Sequence, residues 1–134
     1  MINSEFRIPV LFDSKDAYKE TYGMFQNNDV KGLRKYITSL GKKIMDVTNI
    51  ENKPDAWFPF ISGVALPTAT TYHHFTGICL VDGKIQCRYF YSGRDRNMPV
   101  SKLKLWGLWC FADELVKSYQ RYLKVMAEHG YTVG

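Results

Sequence analysis

The sequence contains few cysteines and histidines, and their spacing excludes most disulfide and metal sites. Of 134 residues, three are cysteine and three are histidine. Cys79, Cys87 and Cys110 form no CxxC pair, and an odd number of cysteines in a reducing compartment is typical of free thiols. The neighbouring His73 and His74 would point to opposite faces of a strand, so they could not bind one ion together. We therefore expect neither a metal nor a cofactor.

Long apolar runs are also absent. No window approaches eighteen uncharged apolar residues, and the first residues, MINSEFRIPVLFDSKD, lack a basic stretch followed by an apolar core. The sequence therefore supports neither a membrane span nor a secretion signal, and we expect a cytoplasmic protein without a membrane partner. A length of 134 residues with 46% hydrophobic and 23% charged side chains fits one globular domain over residues 1–134.

Two short patterns resemble catalytic motifs, but neither is complete. Pro54-Asp55 followed by Asp82-Gly83-Lys84 resembles the PD…(D/E)xK pattern of metal-dependent nucleases. Asp82-Gly83, however, is better explained as a hairpin turn, because this pair accepts positive φ values. His74-Phe75-Thr76 resembles one half of the two-histidine phosphoesterase signature, whose second half is missing. An enzyme is therefore less favoured than a binding protein, and we assign no catalytic residue.

Hydrophobic periodicity predicts three helices. Asp13 or Ser14 can cap a first helix over about 15–26, and an apolar stripe from Val30 to Val47 predicts a second. A long third helix should begin near Ser101 and end near His129, where Gly130 can take the left-handed conformation. The second helix carries four cations opposite its apolar stripe, which we interpret as a solvated face. They are Lys31, Arg34, Lys35 and Lys42.

Strands are predicted before and between these helices. EFRIPVLF should be a short strand in which Pro9 indicates an edge or a bulge, and WFPFISGVAL a strand interrupted by proline and glycine. TYHHFTGICL-VDGK-IQCRYFYS should be a hairpin, followed by the loop SGRDRNMP. The two-residue turn pairs Val81 with Lys84 and, counting outward, Gly77 with Arg88 and Phe75 with Phe90 on the outer face. We predict an α+β fold: an antiparallel sheet of three to four strands packed on the long C-terminal helix, with two N-terminal helices completing a single core.

The positive charge is confined to one segment. The chain has a net charge of +5, and residues 84–104 account for all of it, since six cations there face only Asp95. Exposed aromatic rings beside such cations are typical of nucleic-acid binding, in which rings stack on bases and cations contact phosphates. The candidate binding residues are Lys84, Arg88, Phe75, Phe90, Arg94, Arg96, Lys102 and Lys104.

Two functions from different classes fit this segment. The first is a small accessory or regulatory protein that binds nucleic acid, for which we expect a single strand. The second is a protein-interaction module or inhibitor that uses the same surface to bind an acidic protein partner or a second copy of itself. Salt dependence of nucleic-acid binding would distinguish the two.

Overall fold

The fold consists of helices on one face of an antiparallel sheet. The computed structural model describes residues 7–67 and 72–134, without the side chains of residues 61–67 and 72–74. Within these ranges three α-helices and four strands form the predicted α+β fold, and the strand order in the sheet is β1-β2-β3-β4. The elements are α1 (Ser14–Gln26), α2 (Val30–Val47), β1 (Trp57–Pro67), β2 (Tyr72–Val81), β3 (Lys84–Tyr91), β4 (Arg94–Pro99), a 3₁₀ turn (Val100–Lys102) and α3 (Leu105–Glu128).

Aspartate side chains define the starts of the first two helices. Asp13 Oδ1 accepts hydrogen bonds from the backbone N–H groups of Lys15 and Asp16, at 3.0 and 3.1 Å. Asp29 Oδ1 accepts one from Gly32 N–H at 2.8 Å. Each cap satisfies donors that have no partner within the helix. Asn28, with φ of 54°, makes the sharp connection between α1 and α2.

The third helix begins later than predicted and ends where predicted. Residues 100–102 form the 3₁₀ turn, and Leu103 and Lys104 are extended, so α3 begins at Leu105 rather than near Ser101. At the other end Gly130 has φ of 89°, and Tyr131 N–H donates to the carbonyl of Met126 while Gly130 N–H donates to that of Ala127. This pair of hydrogen bonds is the Schellman motif, which glycine favours.

The strand predicted over residues 5–12 is wrong for the part that is described. Ile8 alone forms a bridge, parallel to Val133, with its N–H donating to Thr132 O at 2.9 Å and its carbonyl accepting from Gly134 N–H at 3.0 Å. The Tyr119 hydroxyl donates to Pro9 O at 2.7 Å. Burial of this hydroxyl raises the pKa of Tyr119 to about 12, and the nearby Tyr122 contributes a smaller part of the increase.

The core lies between the inner face of the sheet and the helices α2 and α3. Buried side chains from every layer meet there, including Ile37 and Ile44 of α2, Ile78 of β2 and Leu115 of α3. Close approach of α2 to the sheet depends on Gly41, because a Cβ there would lie 3.2 Å from the Ile85 side chain. The apolar stripe read from the sequence of α2 is therefore the face that packs on the sheet.

The hairpin turn is confirmed, but a β-bulge changes the register beyond it. Asp82 and Gly83 have φ of 52° and 75°, as a type I′ turn requires. The predicted pairs hold from Val81↔Lys84 to Gly77↔Arg88, after which the register shifts so that Phe75 pairs with Tyr89 and His74 with Phe90. One extra residue in β2, Thr76, reverses the face on which Phe75 lies.

Because of the bulge, the predicted outward position of Phe75 is wrong. The ring of Phe75 is buried, 1% exposed, and it meets Phe111 of α3 edge to face at a centroid distance of 5.0 Å. Phe90 keeps its outward position and is 46% exposed. Phe75 is thus a core residue and is not available to stack on a base.

The loop predicted between β3 and α3 is also wrong, because residues 94–99 form the strand β4. Ser92 and Gly93 have φ of 54° and 82°, which makes a second two-residue turn of the type I′ kind. Six pairs, from Tyr91↔Arg94 to Gln86↔Pro99, join β3 and β4 without a register shift. The cationic residues had suggested a loop, but edge strands commonly carry charge.

We predict that Gly77→Ala destabilises the fold. A Cβ on Gly77 would overlap the carbonyl oxygen of Phe58 and lie 2.7 Å from Cδ1 of Trp57, so β1 or β2 must shift. Overpacking of this kind costs about 1–3 kcal/mol, which a urea unfolding titration should detect as a lower free energy of unfolding.

Gly23→Ala is the matched control. Nothing lies within 4 Å of a Cβ at Gly23, which is inside α1, so this variant should gain about 0.5–1 kcal/mol. Equal effects of the two substitutions would contradict the tight contact between β1 and β2.

A candidate nucleic-acid interface

Arg88 of β3 lies on the outer face of the sheet, and both terminal nitrogens of its guanidinium contact other parts of the protein. Its guanidinium lies 4.1 Å from the ring centre of Trp57, and Nη1 donates to the carbonyl of Pro54 at 2.8 Å. Nη2 forms an ion pair with Asp95 at 3.5 Å, and only 12% of the side chain is exposed. Arginine suits this position because its planar fork can stack and donate at the same time.

These contacts fasten residues 52–56 over the outer face. Pro54 O also accepts from Asn97 Nδ2 at 3.4 Å, and Asn52 Oδ1 accepts from Gly83 N–H at 3.3 Å. Cys79 pairs with Trp57 on one side and with Gln86 on the other, and it is fully buried. Burial raises the pKa of its thiol, and the positive charge of the nearby Arg88 partly opposes this increase. Arg88 therefore holds a loop in place, and its charge is already paired.

Phe90, Arg94 and Arg96 lie together at the turn between β3 and β4, but they occupy both faces of the sheet. Phe90 pairs with Asp95 on the outer face, whereas Arg94 and Arg96 pair with Tyr91 and Tyr89 on the inner face. The guanidinium of Arg96 lies 5.6 Å from the ring centre of Tyr91. This contact, together with a hydrogen bond from Arg96 Nε to Tyr91 O at 3.4 Å, holds the guanidinium beside Tyr91.

Lys84 lies at the opposite end of β3, where it meets α2. A groove of about 410 Å³ separates α2 from the edge formed by β3, β4 and the 3₁₀ turn. Lys42 and Thr38 line it from α2, Lys84 and Gln86 from β3, and Ser101 from the 3₁₀ turn. Among the described residues that line this groove none is acidic, whereas two are lysines and two carry hydroxyl groups.

Arg34 fixes the position of the 3₁₀ turn beside this groove. It precedes Thr38 by one helical turn, and its Nη2 donates to the carbonyls of Ser101 and Leu103 at 3.0 and 3.3 Å. The exposed Lys102 and Lys104 follow in the same segment. We call Lys42 and Lys84, which line the groove, the groove cations.

The structure therefore divides the eight predicted binding residues. Phe75 is in the core and Arg88 is paired. Lys84 lines the groove, with Lys102 and Lys104 in the segment that adjoins it, and the other three lie at the β3–β4 turn. Because β3 has eight residues that each advance about 3.4 Å, the two groups are about 20 Å apart. They do not form one continuous cluster.

Sequence reasoning missed the contribution of α2. The sequence predicts a solvated helix face for Lys42 and Arg34, since charge opposite an apolar stripe is common. Their proximity to Lys84 and Ser101 arises only when α2 packs on the sheet, with Gly41 against Ile85. The one signal in the sequence was the number of cations on that helix face without an acid among them.

Comparisons with protein-family models, curated proteins and solved structures found no match to this chain. Among the described residues, no helix is both long and apolar enough to cross a membrane. The same residues contain no group of three His, Cys, Asp or Glu side chains that could hold a metal ion. The side chains of His73 and His74 lie outside the described part of the structure.

We predict that Arg88→Ala lowers stability. Removing a nearly buried charged donor leaves Pro54 O with a weaker partner and Asp95 unpaired, which should reduce the free energy of unfolding by about 2 kcal/mol in urea. Arg94→Ala is the control of equal charge change: this exposed residue has no described ion pair, so its loss should cost less than about 0.5 kcal/mol. Similar losses for both variants would contradict the structural role of Arg88.

Proposed function

We propose that this protein binds single-stranded nucleic acid, with the groove between α2 and the sheet as the site for its phosphates. The observation that carries the proposal is the convergence of Lys42 and Lys84, from segments far apart in the chain, on a groove without an acidic residue. Two uncompensated ammonium groups attract an anion, and lysine neutralises phosphate as a point charge. The hydroxyl groups of Thr38 and Ser101 can donate to the same phosphate oxygens.

The size of the groove favours a single strand. Its volume of about 410 Å³ lies at the lower end of the range for small-molecule sites, so it suits one or two phosphate-linked units rather than a duplex. Lys102 and Lys104 extend the positive surface from the groove towards α3. A strand that passes over these residues would meet cations at successive phosphates.

The residues at the β3–β4 turn provide a second contact for longer ligands. Phe90 offers an exposed ring for stacking, and Arg94 and Arg96 offer charge, about 20 Å from Lys84 on the strand-length estimate. A short oligonucleotide in the groove would not reach them. The groove cations therefore supply the main binding energy, and the turn residues add to it only when the strand is long enough.

The groove is tested by removing its two lysines. Lys42→Ala with Lys84→Ala should weaken binding of a labelled single strand about tenfold and reduce the slope of log affinity against log salt by about 1.4, since each phosphate contact contributes about 0.7. Fluorescence anisotropy at several salt concentrations measures both quantities, with single-stranded DNA, single-stranded RNA and duplex DNA as ligands.

The control is Lys117→Ala with Lys124→Ala, which removes the same charge from α3 away from the groove. This variant should keep the original slope. Equal loss in both double variants would show general attraction rather than a site. Absence of binding by the unmodified protein even at low salt would refute nucleic-acid binding as its function.

Ligand length tests the contribution of the turn residues. Arg94→Ala with Arg96→Ala should leave the affinity for an oligonucleotide of about four nucleotides unchanged and should weaken binding of one of about twelve. The reason is the separation of about 20 Å between the two ends of β3. An equal effect on both lengths would place the arginines in the primary site, and no effect on either would remove them from the interface.

A further inference from the structure

The strand β4 has an uncovered edge. In residues 7–67 and 72–134 it pairs with β3 on one side and with no strand on the other. Its six residues keep one register with β3, and none of them is buried. A regular edge strand exposes backbone donors and acceptors to which another chain can pair.

The turn geometry identifies which backbone groups face outward. Tyr91 and Arg94 flank a two-residue type I′ turn, so they exchange backbone hydrogen bonds with each other. Because bonded and non-bonded positions alternate, Arg96 and Met98 also direct their N–H and C=O groups to β3. The corresponding groups of Asp95 and Asn97 face the free edge. Pro99 has no N–H and ends the edge.

The charges along this edge differ between its two faces. On the outer face Asp95 is paired with Arg88, at 3.5 Å, so that face is neutral. On the inner face stand Arg94 and Arg96, and neither forms an ion pair with a described residue. A strand added to this edge would place alternate side chains beside these two arginines.

We propose that the free edge of β4 binds an extended acidic segment of a partner protein as an additional strand of the sheet. Backbone hydrogen bonds to Asp95 and Asn97 would hold the segment, and acidic side chains at alternate positions would lie beside Arg94 and Arg96. A second copy of this chain fits less well, because two-fold pairing of identical edges would bring arginines together. The occupant is therefore an acidic peptide, and this site is independent of the groove.

The backbone part is tested by a pair of substitutions at one position. Asp95→Pro removes the outward N–H, whereas Asp95→Ala retains it, and both lose the ion pair with Arg88. Proline is tolerated on an edge strand at positions where the backbone N–H of any other residue would face solvent. With a labelled peptide of alternating threonine and glutamate, Asp95→Pro should bind at least about tenfold more weakly than Asp95→Ala. Equal affinities would overturn the added-strand geometry.

Charge reversal tests the contribution of the arginine side chains to peptide binding. This test does not require that the proline variant folds. Arg94→Glu with Arg96→Glu should lose the glutamate peptide and gain the same peptide with lysine in place of glutamate. If the unmodified protein bound both peptides with equal affinity, the proposal of an acidic partner would be overturned.

Hydrogen exchange gives a readout at the edge itself. Without peptide, the amides of Arg94 and Arg96 should exchange slowly and those of Asp95 and Asn97 quickly. Bound peptide should slow the exchange of Asp95 and Asn97. Protection confined to the groove would instead show that the peptide binds as a general polyanion, and the proposal would fail.

Discussion

One extra residue in β2 determines which side chains of this strand face the helices and which face outward. Thr76 forms the bulge between the pairs Phe75↔Tyr89 and Gly77↔Arg88. On the turn side of the bulge Gly77 faces outward and allows the backbone of Phe58 to approach, while on the other side Phe75 turns inward to meet Phe111. Without the bulge the large ring would lie in solvent and α3 would lose a core contact, so the packing of helix on sheet depends on it.

The same arrangement explains why only some of the positive charge is available to a partner. Gly77 leaves space beside Trp57, and Arg88, its cross-strand neighbour, lies over that ring and binds Pro54 and Asp95. A charge that contacts a ring, a carbonyl and a carboxylate has lost most of its hydration and is already neutralised, so it attracts an added anion only weakly. Among the described residues, Lys84 and Arg94 near the two ends of β3 form no ion pair, so their charge is less committed than that of Arg88.

Local signals predicted the elements that local chemistry determines. The apolar stripe gave α2, Asp82-Gly83 gave the β2–β3 turn, and Gly130 gave the end of α3, because each depends on neighbours within a few residues. The bulge at Thr76 had no such signal, since its advantage is the burial of Phe75 against a helix distant in sequence. β4 was missed because its charges suit an edge strand as well as a loop. The groove was not predicted: Lys84 was a candidate only as part of the charged segment, and Lys42 lies near it only through helix packing.

The charges around the groove are more easily explained by a ligand than by folding. Like charges that share a groove repel, and a surface selected for stability alone would mix the two signs, as α3 does with Asp113 and Lys117 at 2.8 Å. At the groove, Lys42 and Lys84 have no acid among the residues that line it with them. Solvent weakens this repulsion to a small cost, so the fold tolerates it, while the same potential draws in anions and raises their rate of association. A polyanion that neutralises both lysines would remove the repulsion and gain from the attraction, which makes binding stabilise the protein in proportion to the charge that the strand brings.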